Sequence, residues 1–170
     1  MYSEFYDKYI KGSENLWFTQ NCVPEMGEVR GKIVMLRVVS IDDTFDETNS
    51  GINFENYPYV GTTQLYDYRR CDIAMLNGET YAQMYVQDSY KLGVDEKWTA
   101  VKDFIESDLS DEDFNICLTS SSKIPLPYLI AKKTNKTLME YDFEKGKIYG
   151  IIATDFITQE ICEKIYSTNY

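Results

Sequence analysis

Histidine is absent from this 170-residue chain. Any reaction that needs an imidazole to take or give a proton near neutral pH must therefore find that group on another polypeptide. Basic residues are also in short supply, 17 Lys and Arg against 28 Asp and Glu, for a net charge of −11. They are scattered along the chain. A scattered minority of cations cannot form the clustered basic surface that phosphate backbones require, so nucleic acid is excluded as a partner. The same balance gives no strong attraction to anionic membranes. No apolar run is long enough to cross a bilayer. The opening MYSEFYDKYIKGSENLWF has no basic start followed by an apolar stretch, so no signal peptide is visible. The four cysteines, at 22, 71, 117 and 162, form no CxxC pair, and without histidine no zinc set can be completed. Buried thiols are their simplest reading, although four cysteines would permit disulfides in an exported protein. No Gly-rich phosphate loop appears, and no cofactor or metal is expected.

What is present is a repeated shape. Val29–Val38 (VRGKIVMLRV), Met84–Lys91 (MYVQDSYK) and Tyr149–Ile157 (YGIIATDFI) are each apolar and β-branched, and each ends in a charged group: Arg37, Asp88 and Asp155. Such short runs suit strands covered on both faces, in sheets whose active sites form at the strands' C-terminal ends. The predicted strands are about 32–39, 80–87, 114–119 and 148–154. Helices are predicted at the start (3–11, with Phe5, Tyr6, Tyr9 and Ile10 at helical spacing), at 94–107, at 126–140 and at 158–167. Val94, Trp98, Val101, Phe104 and Ile105 form the packing face of the second; Leu129, Ile130, Leu138 and Met139 that of the third; Ile161 and Ile165 that of the last. Asp42–Ser50 reads as a surface loop, 51–79 as irregular, and Asn77-Gly78 as a turn. Four strand-helix alternations indicate parallel βα units, an α/β fold.

Four words in order, GEVRGKIVMLR (Gly27–Arg37), GINFENYP (Gly51–Pro58), VQDSY with a following KW (Val86–Tyr90, Lys97–Trp98) and GIIATDFI (Gly150–Ile157), resemble the bacterial phosphatidylinositol-specific phospholipase C family. The resemblance covers about residues 25–170 and only the second half of the family's (β/α)8 barrel, strands five to eight. It implies a C-terminal half-barrel of four parallel βα units in one region. Complete barrels of this type run to about 250 residues. A half-barrel exposes sheet edges, so self-association or a missing N-terminal half is expected. By the same resemblance the complete enzyme cleaves phosphatidylinositol to diacylglycerol and a cyclic inositol phosphate. General base and general acid histidines do this without a metal, at a secreted or cell-surface location. Both histidines belong to the first half, so the isolated chain is expected to be inactive.

Residue by residue, the resemblance assigns Asp155 to orient the general-base histidine, which this chain does not supply. A strand-end aspartate capping the following helix is the plainer alternative. Asp88 and Tyr90 would hold the inositol ring, their i, i+2 spacing placing both on one face of an extended strand, with the carboxylate accepting hydroxyls and the ring covering an apolar sugar face. A buried tyrosine beside a loop-facing aspartate is the alternative there. Tyr57, which stands where the family has tryptophan, is the third substrate-binding residue the resemblance implies. Arg37 is followed by Val38 where the family has a second basic residue, and one step along a strand flips the face, so Arg37 is no substitute. These departures point to a weakened inositol site. Arg30 reads as structural. Ser120–Lys123 (SSSK) is too unspecific a match to support a Ser-Lys hydrolase. Ile124, Leu126 and Tyr128, in the loop Ser120–Tyr128, are the candidate membrane contacts. The alternative to the enzyme fragment is a histidine-free pseudoenzyme or binding module for an inositol or phospholipid headgroup.

Overall fold

A computed structural model describes residues 1–55, 69–74, 80–109, 113–123 and 127–170. The chain divides into two compact units. The first comprises Met1–Tyr57 with Cys71–Gln83, and the second Pro58–Arg70 with Met84–Tyr170.

The first unit opens with helix α1 (Tyr2–Phe5), which widens into a π-type turn at Tyr6–Ile10. Tyr2 and Ile10 are buried while Tyr9 is half exposed, so only part of the predicted helical face is used. The expected strand over 32–39 is two fragments. β2 (Ile33–Val34) pairs in parallel with β1 (Trp17–Phe18), and β3 (Leu36–Arg37) pairs in parallel with β4 (Ile52–Asn53). Each fragment answers to a different neighbour, which a single apolar run does not reveal. Gly51, just before β4, has φ +88°, and a Cβ there would stand 2.6 Å from Met35 Cγ. Glycine is needed here for both the left-handed backbone and the close approach. Residues 51–79 are not wholly irregular: they carry β4 and β5 (Arg69–Ala74), with Asn53 opposite Ala74 in antiparallel register. The parallel-only expectation is corrected at that point.

In the second unit the C-terminal half of β6 (Thr80–Gln87) pairs in parallel with β7 (Phe114–Leu118), and β7 in parallel with β8 (Ile151–Ala153). Phe114–Cys117 are buried without alternation, the pattern of a strand covered on both faces. β8 differs. Ile151 and Ala153 are exposed, and among the described residues β8 pairs with β7 alone. The expectation of a strand covered on both faces fails there. Helix α2 (Val94–Glu106) packs on β7 and on α3 (Pro127–Glu140), which in turn packs on α4 (Gln159–Tyr166). Val101, Phe104, Ile105, Cys117 and Tyr149 form a core cluster, with Trp98, Tyr141, Phe143 and Ile152 against it. Ile130 and Leu138 are buried as predicted, but Leu129 is exposed, one position round the helix from Ile130. Ile161 is buried and Ile165 partly so.

Candidate functional site

The three predicted strand-end charges have different surroundings. Arg37, in the first unit, is buried, and its guanidinium donates to the Glu55 carboxylate and, at 2.6 Å, to the Val39 main-chain oxygen. Glu47 lies 3.9 Å from its second terminal nitrogen. That side chain is committed to internal ion pairs.

Asp88 and Asp155 belong to the second unit, and a residue between them matters as much as they do. Lys97, in the first turn of α2, is completely buried. Its ammonium donates to Gln87 Oε1 at 3.0 Å and to the Ser89 main-chain oxygen at 3.3 Å. Burial pushes its pKa down to about 8, opposed at longer range by the carboxylates of Asp88 and Asp155 and, when ionised, by Cys117. Burial in turn pushes the Cys117 thiol up to about 12, with Lys97 opposing.

Asp88 does not sit on an extended strand with Tyr90. β6 ends at Gln87, Asp88 and Ser89 form the exit, and Tyr90 begins a turn. The paired strand that the i, i+2 argument assumed therefore ends one residue before Asp88. The turn is anchored by the segment after β7. The Tyr90 main-chain oxygen accepts from Ser122 N–H at 2.6 Å and Ser121 Oγ at 3.0 Å, and Ser121 Oγ also donates to Leu92 O at 2.5 Å. Lys91 Nζ stands 5.8 Å from the Tyr90 ring centre.

Asp155 is half-buried and follows β8 by two residues. Its main-chain oxygen, with that of Phe156, accepts from Asn135 Nδ2 at 3.0 and 3.2 Å, and Thr154 Oγ1 donates to Asn135 Oδ1 at 2.5 Å. Phe156 takes a positive φ of 51° at this corner, an uncommon conformation for a non-glycine residue. Upstream, Gly150 has φ +67°, and a Cβ there would stand 2.5 Å from Asn115 Cβ.

Tyr57, Ile124 and Leu126 lie outside the described residues. Tyr128 is exposed and meets the exposed Phe156 edge to face at 5.3 Å. The pair borders a 740 Å³ cavity that Lys132, Lys133 and Lys136 also line, and none of Asp88, Tyr90 or Asp155 lines it. Of the cysteines, Cys117 is a buried thiol as expected, but Cys22 is partly exposed and Cys162 exposed, both as free thiols.

No family model matches this chain, and no curated protein does. Solved structures do. Crystal structures of Staphylococcus aureus phosphatidylinositol-specific phospholipase C superpose with TM-scores of 0.67 and 0.65 at 20% identity, over 100% of this chain and 59% of theirs. A third structure of that enzyme gives 0.66 at 21% identity over 98% and 58%. The chain has the fold of phosphatidylinositol-specific phospholipase C. It spans about 59% of the length of those structures. Gln87, Lys97 and Asn135 are the residues that sequence reasoning passed over. Lys97 had a signal: it lies three residues after Val94 and four before Val101, on the helix face that packs.

Proposed function

We propose that this chain is part of a phosphatidylinositol-specific phospholipase C-like phosphodiesterase and carries the inositol-facing side of its site. The observation that carries the reading is the fold match along essentially the whole chain to structures of that enzyme. In this reading the chain contributes part of a barrel, with the β6–α2, β7–α3 and β8–α4 units as its parallel portion. Asp88 accepts hydrogen bonds from inositol hydroxyls, Tyr90 and Tyr57 cover apolar ring faces, and Asp155 orients a general-base histidine supplied elsewhere. The exposed Tyr128 reaches toward a lipid surface with Ile124 and Leu126. Two of these groups, Asp88 and Asp155, act electrostatically on one buried lysine, which supports a shared polar site at the strand ends. Lacking histidine, the isolated chain binds and does not turn over.

A second reading, a histidine-free binding module for an inositol headgroup, is favoured by one feature. The cluster of Gln87, Asp88, Lys97 and Asp155 lies within a single compact unit.

Calorimetric titration of the purified chain with myo-inositol tests both readings. Binding that weakens about tenfold or more in Asp88→Ala is the expected outcome, as for loss of a charged hydrogen-bond acceptor. Absence of binding removes the polyol site. Steady cleavage of phosphatidylinositol by the chain alone contradicts its assignment as a non-catalytic partner, while cleavage only after an upstream histidine-bearing segment is added separates the enzyme fragment from the binding module.

A further inference from the structure

A lysine on a helix ordinarily lays its stem along the surface and keeps its ammonium in water. Lys97 does neither. Its ammonium is buried against two neutral oxygens, Gln87 Oε1 and Ser89 O, with no carboxylate at ion-pair distance among the described residues. A buried charge held in this way is costly, and an apolar side chain of similar length would often serve the fold as well or better. The hydrogen bonds show what it does instead. Gln87 is the last residue of β6, and accepting from Lys97 sets its amide with Oε1 on the ammonium and the buried Nε2 turned to other surroundings, where it has no acceptor among the described residues. Ser89 is the middle of the strand exit. Downstream, the exit is held through Tyr90 O by Ser121 and Ser122. The short segment that carries Asp88 and Tyr90 is thus clamped at both ends, by an ammonium on one side and by a serine pair on the other.

We propose that Lys97 is a positioning residue for the polyol site, fixing the Gln87–Tyr90 exit so that Asp88 and Tyr90 are presented together and balancing the charges of Asp88 and Asp155. The inference rests on the reading of Asp88 and Tyr90 as inositol contacts. The charged or titratable groups that face this ammonium are Asp88 at the end of β6, Cys117 on β7 and Asp155 after β8. Loss of its proton removes the charge opposite both carboxylates and weakens both hydrogen bonds.

This role separates binding from folding. Because burial lowers Lys97 to about 8, the unfolded chain holds more protons than the folded one between about 8 and 10.5, and this group makes the fold more stable as pH rises through that window. Inositol affinity moves the other way. A lysine with a structural role only would not make the two diverge.

The test measures myo-inositol affinity, thermal stability and amide exchange on the full chain, using the unaltered protein, Lys97→Met and Asp88→Ala. For the unaltered protein, affinity is expected to fall about tenfold between about pH 7 and pH 9.5 without loss of stability. Lys97→Met is expected to bind about tenfold more weakly at about pH 7, with no pH dependence in that range. In Lys97→Met the Ser122 amide, bonded to Tyr90 O, exchanges faster at a fixed pH while the melting temperature holds. If inositol binds in an Asp88-dependent way but neither pH nor Lys97→Met alters it, the inference is overturned and the inositol reading stands. If the unaltered chain binds no inositol, the inositol reading falls. The clamp is then decided by exchange alone: acceleration at Ser122 supports it, and an unchanged rate overturns it. The pH series needs no variant, so a poorly folding Lys97→Met would still leave affinity and stability to be compared in one protein.

Discussion

Arg37 and Lys97 are the two fully buried cations described in this chain, one in each unit, and they are accommodated in opposite ways. The guanidinium is met by two partly exposed glutamates and a main-chain oxygen. The ammonium meets two neutral oxygens and feels its carboxylates only at longer range. A planar, permanently charged group suits paired structural contacts, whereas an ammonium whose pKa falls on burial can change state near neutrality. The first arrangement stores its charge. The second leaves it adjustable, at the strand ends where the site is proposed.

The largest effect that would sharpen this contrast is at Glu55. Glu55→Ala leaves Arg37, among the described residues, with the Val39 oxygen and the more distant Glu47, and we expect a loss of about 2–3 kcal/mol in urea unfolding, at or below the lower end of the range for a broken buried pair because Glu55 is itself partly solvated. A change within error would mean that the two cations are not so different. Next comes Cys117, which faces Lys97. Its folded pKa of about 12 lies above the ordinary 9.0, so the folded state holds the extra proton between those values and stability is lost as pH rises from 9 toward 12. Cys117→Ala should cost about 1 kcal/mol at neutral pH and flatten this alkaline decline. Tyr141, also raised to about 12, contributes a loss of the same sign in both proteins, so the difference between their melting curves isolates Cys117. The smallest effect belongs to a surface pair. Lys136 and Glu140, 3.7 Å apart and well exposed, should be replaceable with no shift that a melting experiment resolves, which would separate ordinary surface charges from the two buried ones.

Much of the second unit was legible in the sequence because its elements obey one period each. β6 spans the predicted 80–87, and α2, α3 and α4 start and stop within a residue or so of expectation. The first unit was harder to read. Its strands β1 to β4 are two residues long, too short for alternation to register, and the partners of β3 and β4 are fixed by contacts such as Gly51 against Met35. In the site, Asp88 and Asp155 were visible as charges closing apolar runs. Lys97 was named only as part of a motif and given no role, because hydropathy assigns lysine to water; its place between Val94 and Val101 was the physical argument for burial. The turn that begins at Tyr90 was hidden for a related reason: the serines that hold it come about thirty residues later in the chain.

The chain has two tryptophans, and they are divided between the units. Trp17 donates its indole N–H to the Tyr9 main-chain oxygen and packs edge to face on Phe5, while Trp98, next to Lys97, packs on Tyr141. Each compact unit thus carries its own fluorophore. Replacing either one with phenylalanine would leave a single tryptophan, and exciting at wavelengths too long for the 15 tyrosines would let the melting of one half be followed by its indole emission, with no label added.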